Sequence, residues 1–510
     1  MELHDRLTKR NLWTFTLGAI GRDTATFLWS SYLITFVIFT KSLTDSQFAT
    51  LSMIMVIGRV IDGFNDPIMG NILEVTRTKW GKFKPWIFGG MIFCAAIYLV
   101  SFSNTLDGWA YVVLFGFLYF AYDVVFTAND IAYWGMIPSL AVQKEDRDLL
   151  TSRAIFFAGI GMAIATLVVP TFTAGERTIG GSAVTAYRVI AMIFTACFLG
   201  FQMITILGVK EKPLPPKGEA TINKVGLGTI YNTIRNNDQL TWALIFFLFH
   251  TTGSGLLAGG LGMNYIFFEF GYNGLLFTVF SALGAIASAV VMMFFTQISR
   301  RFSRNQLMKL AAYCIAGGYI FMLLVGLAVP SSMMWVKFAL MMVGNLFAFG
   351  GQSVAYLVIM VCIANTVEYN EWRTGARAEG IIFSVRPFVT KLGWAFIQFI
   401  VMIVLLGTGV RQYTNQIADL ENAASRGLDA EVKSEGIRQV LAGVPSGKSA
   451  ALLVCMTLIP MALALISYLI YKKKYTITEE KYDQMLAELE ERRGMVAGEN
   501  FAHEEDMVNA

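Results

Sequence analysis

Polar positions in this chain fall in short clusters between long apolar runs. A helix that crosses a bilayer needs about 20 mostly apolar residues. About twelve runs reach that length, near 12–40, 46–73, 86–104, 108–138, 152–173, 185–209, 239–268, 274–298, 306–329, 333–366, 380–409 and 449–471. Several exceed what a bilayer requires, which implies tilt or ends that project into water. The pattern predicts an all-α integral membrane protein of about 12 transmembrane helices.

The polar connections differ in charge. Arg77, Lys79, Lys82 and Lys84 follow the second run, and Arg147 and Arg153 the fourth. Lys210, Lys212, Lys217, Lys224 and Arg235 follow the sixth, Arg300, Arg301, Arg304 and Lys309 the eighth, and Lys472, Lys473 and Lys474 the twelfth. Connections after odd-numbered runs are nearly bare, apart from a stretch at about 411–448 whose basic and acidic residues cancel. Basic loops stay on the cytoplasmic side, so both termini are expected in the cytoplasm of a multi-pass protein of the cytoplasmic (inner) membrane.

Residues 210–216 read Lys-Glu-Lys-Pro-Leu-Pro-Pro, a polar hinge with six runs on either side. The basic loop at 76–86 has a weak echo at 299–309. The chain therefore divides into an N-terminal six-helix bundle (1–209), a cytoplasmic middle linker (210–238), a C-terminal six-helix bundle (239–472) and a cytoplasmic tail (473–510). The 411–448 loop of the second bundle is expected outside the cell, as amphipathic helical turns. Two equivalent halves suggest a duplicated transporter.

Composition narrows the class further. The chain is 55% hydrophobic and 15% charged, whereas a soluble domain carries about a quarter charged residues. A net charge of +4 gives no sign of nucleic-acid binding. Cys94, Cys197, Cys314, Cys362 and Cys455 lie in apolar runs without CxxC spacing, as structural thiols do. Of the three histidines only His250 is embedded, and it is expected to be a satisfied core residue. No Gly-rich phosphate loop or metal-ligand spacing points to an enzyme or a cofactor.

Charges inside the runs carry the functional signal. An ionised side chain at mid-bilayer costs about 2.5–3.5 kcal/mol on insertion scales, so each needs a reason. Asp23, Asp62, Asp66, Asp123 and Asp130 lie in predicted spans of the first half, with Arg22 and Arg59, and Arg153 opens the fifth run. The second half offers Arg386 and Lys391, with Glu269 and Glu368 near helix ends. Arg59, Asp62 and Asp66 share one helical stripe, as do Asp123, Thr127, Asp130 and Trp134. Such stripes make sense facing a shared polar cavity. Two carboxylates one turn apart repel unless a Na⁺ or Li⁺, a proton or an Arg intervenes, and Thr127 adds a hard oxygen. Pro67 frees a backbone carbonyl beside them. Trp134 beside Asp130 is the usual pairing for a sugar, its ring covering the C–H face while the acid accepts from hydroxyls. Arg22 and Asp23, adjacent on one helix, point about 100° apart and are expected to serve different partners.

The stretch from Gly58-Arg59-Val-Ile-Asp62 through Asp66-Pro67-Ile-Met-Gly70 to Arg77-Thr-Lys79-Trp80-Gly81 and Pro85-Trp86 closely resembles the glycoside–pentoside–hexuronide:cation symporter family, the melibiose-permease branch of the major facilitator superfamily. Gly21-Arg22-Asp23, Asn129-Asp130-Ile-Ala-Tyr-Trp134, Arg153-Ala-Ile-Phe-Phe and Lys391-Leu-Gly add to the likeness, which spans about 5–475. The resemblance implies two six-helix bundles that carry a sugar or glycoside with Na⁺, Li⁺ or H⁺ by alternating access. Asp62, Asp66 and Thr127 match its cation-site positions and would hold Na⁺ or Li⁺ if either is used. Asp23, Asp130, Trp134, Arg153 and Arg22 match its sugar-site positions, and Lys391 matches a lysine between the two sites.

This chain departs from the family pattern at two places. Asp123 stands beside the cation site where a small residue is expected. Arg386 replaces a neutral polar residue, and would suit an acidic sugar or neutralise Asp123. Arg59 is expected to join Lys391 in coupling, while Glu74 with Arg77 could latch a gate. The expected function is import of a glycoside with a monovalent cation by a monomer in the lipid bilayer. The alternative is a cation-coupled carrier of a lysolipid or other amphipathic solute on the same fold.

Overall fold

The computed structural model describes residues 7–141, 143–211, 227–375 and 377–492. The first half comprises α1 (Lys9–Thr40), α2 (Asp45–Val75), α3 (Lys84–Ser103), α4 (Gly108–Gly135), the short α5 (Ile137–Leu140), α6 (Lys144–Thr173) and α7 (Ala183–Gly208). After α8 (Leu227–Asn236) come α9 (Asp238–Gly255), a π turn at Leu256–Gly260, α10 (Leu261–Glu269), α11 (Gly274–Ser299), α12 (Arg304–Ala328), α13 (Met334–Thr374) and α14 (Glu379–Gly407). The loop that follows folds as α15 (Arg411–Ser425) and α16 (Ala430–Ala442), and α17 (Ser446–Lys474) is the last long span. A tail helix, α18, occupies 479–492.

Each apolar run is a helix. Eleven helices among the described residues are long and apolar enough to cross a membrane. The 32-residue α1 is as long but carries Arg22 and Asp23 in its middle. Side chains such as Phe117 and Leu207, each 71% exposed, face outward, which fits lipid as the surrounding solvent. Much of the predicted linker, 212–226, lies outside the described residues.

In the first half α1 packs on α6 and α7, α2 on α4, and α3 on α4 and α7. Two glycines set α1 close to its neighbours. A Cβ on Gly21 would lie 2.5 Å from the Cys197 carbonyl oxygen, and one on Gly161 would lie 2.4 Å from that of Ile20. Only a bare backbone fits there, and it brings α6 and α7 beside Arg22 and Asp23. In the second half α12 packs on α13, and α17 on α9 and α12; α2–α14 and α6–α11 join the halves.

One end of the molecule is sealed across the two halves. The Gly274 N–H donates to the Ala174 carbonyl over 3.2 Å, and Thr171 and Thr278 hydroxyls meet at 2.8 Å. From α15, Arg411 and Asn415 donate to the Leu43 carbonyl over 2.7 and 2.9 Å, and Asn422 donates to that of Thr40 over 2.7 Å. Glu421 is fully buried and accepts from the Ala183 N–H at 2.6 Å, with the Lys433 ammonium 3.4 Å away. Burial pushes the Glu421 carboxyl up, and Lys433 and the Ala183 N–H partly offset that. Thus the 411–448 loop starts in the second half but rests on the first.

The tail also docks. Glu479 accepts from the Arg304 backbone N–H over 2.9 Å, Glu488 accepts from the Trp372 indole over 2.7 Å, and Ile477 and Met485 pack on Tyr369. A charged composition did not distinguish this docked helix from a solvated one.

Candidate functional site

Two charged clusters sit inside the first half, each built by helix-to-helix locks. On α4, the Asn129 and Gln202 side-chain amides exchange hydrogen bonds of 2.8 and 3.0 Å, and Asn129 also donates to the Ile87 carbonyl over 2.9 Å. This fixes the rotation of α4 one residue before Asp130. One turn on, the Tyr133 hydroxyl donates to the Phe15 carbonyl over 2.5 Å and its ring stacks on Phe15. Asp130 is thereby aimed at α1.

There the Arg22 guanidinium is buried and forked. It donates to Asp130 Oδ1 over 2.8 Å through Nη1, and to Asp23 Oδ2 over 2.8 and 3.0 Å through Nη2 and Nε. Its face lies 4.6 Å from the Tyr133 ring centroid and 4.9 Å from that of Trp134. Arg22 and Asp23 therefore pair with each other, contrary to the expectation from helical angle that they serve different partners. A long guanidinium stem bends back across the 100° that separates the Cβ directions, which a short side chain cannot do. The Asp130 side chain keeps 38% of its surface exposed and that of Asp23 18%, so both retain acceptor capacity.

The second cluster joins α2, α4 and α14. Thr127 donates to Asp62 Oδ1 over 2.9 Å. Lys391, reaching in from α14, lies 3.0 Å from Asp62 Oδ2 and 2.8 and 2.9 Å from the two oxygens of Asp66, and also donates to the Asp62 carbonyl over 3.3 Å. Arg59 stands 3.8 Å from both Asp62 and Asp123. Both Asp123 oxygens are buried without a hydrogen-bond partner. Three carboxylates face two cations, so with every group ionised this cluster carries one negative charge.

Asp62, Asp66, Asp123 and Thr127 thus lie together, with Arg59 and Lys391 among them. In this arrangement the Lys391 ammonium fills the bay between Asp62 and Asp66 that a small cation would use. Among the described residues, no group of three or more His, Cys, Asp or Glu side chains is arranged to hold a metal ion. The same oxygens suit Na⁺ or Li⁺ only once the ammonium has withdrawn.

Other expected site residues are placed elsewhere. Arg153 lies over the Trp13 ring at 5.4 Å and forms no ion pair with Asp23 or Asp130. Arg386 is exposed on α14, and Asp123 has Arg59 as its cation instead. Proline 387, directly after Arg386, lies inside α14. Arg77 donates to the Thr76 carbonyl over 2.9 Å, while the side chains of Glu74 and Pro67 lie outside the described residues. The basic loop they flank is held by a residue that sequence reasoning missed. Glu211 accepts from the backbone N–H groups of Lys82 and Lys84 over 3.0 and 3.3 Å. His250 is buried against Tyr356 without a hydrogen bond to another described residue, so it is not the satisfied core histidine expected.

The family described as MFS/sugar transport protein matches residues 14–479. The chain belongs to that family. It is a multi-pass sugar transporter of the glycoside–pentoside–hexuronide:cation symporter type, and not an enzyme. The transporter is 27% identical to a lactose permease of Lactobacillus delbrueckii subsp. bulgaricus, over 98% of this chain and 75% of that one. It is 26% identical to a raffinose carrier protein of Pediococcus pentosaceus, over 93% of this chain and 70% of that one. Its fold is similar to that of the nucleoside transporter NupG, with a TM-score of 0.57 at 10% identity, covering 92% of this chain and all of the other. A sugar cargo sets aside the amphipathic-lipid alternative.

Proposed function

We propose that this protein imports a neutral glycoside together with a monovalent cation, Na⁺ or H⁺, by alternating access, as a monomer in the cytoplasmic membrane with both termini inside. The observation that carries this reading is Lys391 of the second half, seated between Asp62 and Asp66 of the first. A cation entering that bay competes with the ammonium for the same oxygens, so its binding loosens the ionic tie between the halves at mid-membrane. A proton has a further place to go, the buried carboxyl of Asp123, whose oxygens accept no hydrogen bond and have only Arg59 at 3.8 Å.

The sugar is assigned to Asp23, Asp130, Arg22 and Trp134. The acids accept from hydroxyls, the guanidinium donates, and the indole offers an apolar face. Two acids against one arginine leave that cluster negative, which disfavours an anionic sugar and supports a neutral one. Both clusters are fixed by α4, on which Asp130 follows Thr127 by three residues and Trp134 follows Asp130 by four, each about one helical turn. Cation binding at one therefore bears on the geometry of the other, and by linkage the sugar must favour the cation equally.

On the topology assigned by the basic loops, the sealed end faces outward. Every hydrogen bond between described residues of the two halves lies at that end or at Lys391. This supports an inward-open state. The test is uptake into proteoliposomes over a panel of neutral and acidic glycosides, with Na⁺ and pH gradients imposed separately. Accumulation driven by either gradient is expected for a neutral glycoside. Uptake that never exceeds equilibrium under both gradients would remove the coupling.

A further inference from the structure

A cavity of about 460 Å³ lies between the halves, bounded by α1, α6, α9, the π turn, α11, α13 and α14. We propose that it is a second, uncharged sugar subsite, which takes the next glycosyl unit of a di- or oligosaccharide whose terminal unit sits at Asp23 and Asp130. This rests on the glycoside reading above and extends it to substrate length.

Position is the first argument. On α1, Phe27 and Ser30 line the cavity and follow Asp23 at i+4 and i+7, on one helical stripe. On α14, Trp394 and Gln398 line it and follow Lys391 at i+3 and i+7. At 1.5 Å per residue, seven residues advance about 10 Å along each helix. Both helices run toward the sealed end, so the cavity adjoins the charged clusters one sugar unit further in. It is enclosed by the seal beyond.

Its chemistry is the second. No Asp, Glu, Lys or Arg lines it; hydroxyls, amides, an imidazole and aromatic rings share the wall with aliphatic side chains such as Ile34, Met292, Ile397 and Val401. That is the complement of a neutral polyol with apolar C–H faces, and a poor match for an ion. Trp394 and Tyr356 supply the rings.

Unmet hydrogen-bonding capacity is the third. His250 is 4% exposed and Gln398 8%, and neither side chain bonds to another described residue. Both side chains line the cavity, so their polar atoms are open to hydrogen-bond with what enters it. Gln352 donates its amide to the Tyr319 hydroxyl over 2.8 Å, which anchors it and leaves its carbonyl oxygen to accept. The π turn adds bare backbone. Gly259 lines the cavity, and a Cβ there would meet nothing within 4 Å. Such turns recur at functional sites because they interrupt regular helix bonding.

The test uses purified full-length protein and measures binding of methyl glycosides against longer sugars with the same terminal unit. The pairs are methyl galactoside with lactose and raffinose, methyl glucoside with maltose, and methyl xyloside with xylobiose. For whichever terminal sugar binds, the longer ligand is expected to bind at least tenfold more tightly than its methyl glycoside. Gln398→Leu and His250→Leu should each erase most of that gain while leaving the methyl glycoside unchanged, which also shows that the variants fold. No gain in the unmodified protein, a gain that survives both substitutions, or an equal loss for the methyl glycoside overturns the subsite and leaves the transport reading standing. If no sugar of the panel binds, the transport reading falls, and the subsite with it.

Discussion

Lys391 and Asp66 form a bidentate ion pair across the two halves of the molecule, the ammonium lying 2.8 and 2.9 Å from the two carboxylate oxygens. Removing either charge changes what the other half meets. Asp66→Asn, or Asp62→Asn beside it, should abolish cation-driven accumulation in proteoliposomes while some sugar binding remains. Wild-type accumulation in both variants would take the pair out of coupling. Lys391→Ala should in addition destabilise the protein by about 3 kcal/mol, since it leaves a buried Asp62 charge without its nearest cation. Asp62→Asn in the same chain should recover part of that loss in thermal unfolding.

Trp134 shares its face with the Arg22 guanidinium. Trp134→Ala should therefore weaken sugar binding by about 1–3 kcal/mol, the range for loss of an aromatic stacking platform, with little change in cation dependence. Titration calorimetry with the best glycoside of the panel decides this. Unchanged affinity would return the indole to packing.

Gly274 opens α11 against the backbone of α6, where a Cβ would sit 1.6 Å from the Pro170 carbonyl oxygen. Gly274→Val cannot close there without moving one half. It should hold the sealed end apart, so that accumulation is lost while sugar binding persists. The readout is labelling of Thr35→Cys, a buried position beside Met263, in a chain whose native cysteines are replaced. Labelling by a membrane-impermeant thiol reagent should rise severalfold, and no rise would show that the seal tolerates the added methyls.

Arg411 is almost wholly buried, donates to the Leu43 carbonyl and lies 4.1 Å from the Phe48 ring centroid. Arg411→Ala should loosen the α15 contact and raise Thr35→Cys labelling as Gly274→Val does. Equal labelling with and without Arg411 would leave α15 a decoration.

Glu421 gives that contact a pH dependence. Burial raises its folded carboxyl above the ordinary value, so docking favours the protonated form. Its stabilising contribution is complete below the ordinary glutamate range and declines as pH rises through the raised value. Labelling should accordingly increase with pH over that window, and Glu421→Gln should flatten the profile. A profile unchanged by the substitution would assign the dependence to another group.

The spans were legible because a bilayer imposes a length that few soluble segments reach, and the acidic stripes because helical spacing fixes which side chains share a face. Asp62 and Asp66 could be grouped that way, and Thr127 with Asp123 and Asp130, whereas only the family resemblance joined Thr127 to Asp62 and Asp66. The place of Lys391 between Asp62 and Asp66 could not be read from spacing, since 329 and 325 residues separate them. Family likeness supplied only that a lysine belongs nearby. Arg22 was misjudged because Cβ direction ignores the reach of a guanidinium. Arg153 and Arg386 carried the right charge for a sugar site, yet their helices turn them toward Trp13 and toward the exposed surface. His250 stood out only as an embedded imidazole, and Gln398 gave no signal at all. A lone imidazole or amide in an apolar run looks the same whether it faces a packed neighbour or a cavity.

The α15–α16 segment hangs from one half and grips the other, so on the proposed topology and alternating-access cycle the rocking of the halves would have a handle on the cell's exterior. An antibody fragment or phage protein that clamped this segment in place would arrest the carrier without entering the translocation path. Inhibition of that kind would not be relieved by raising the sugar concentration.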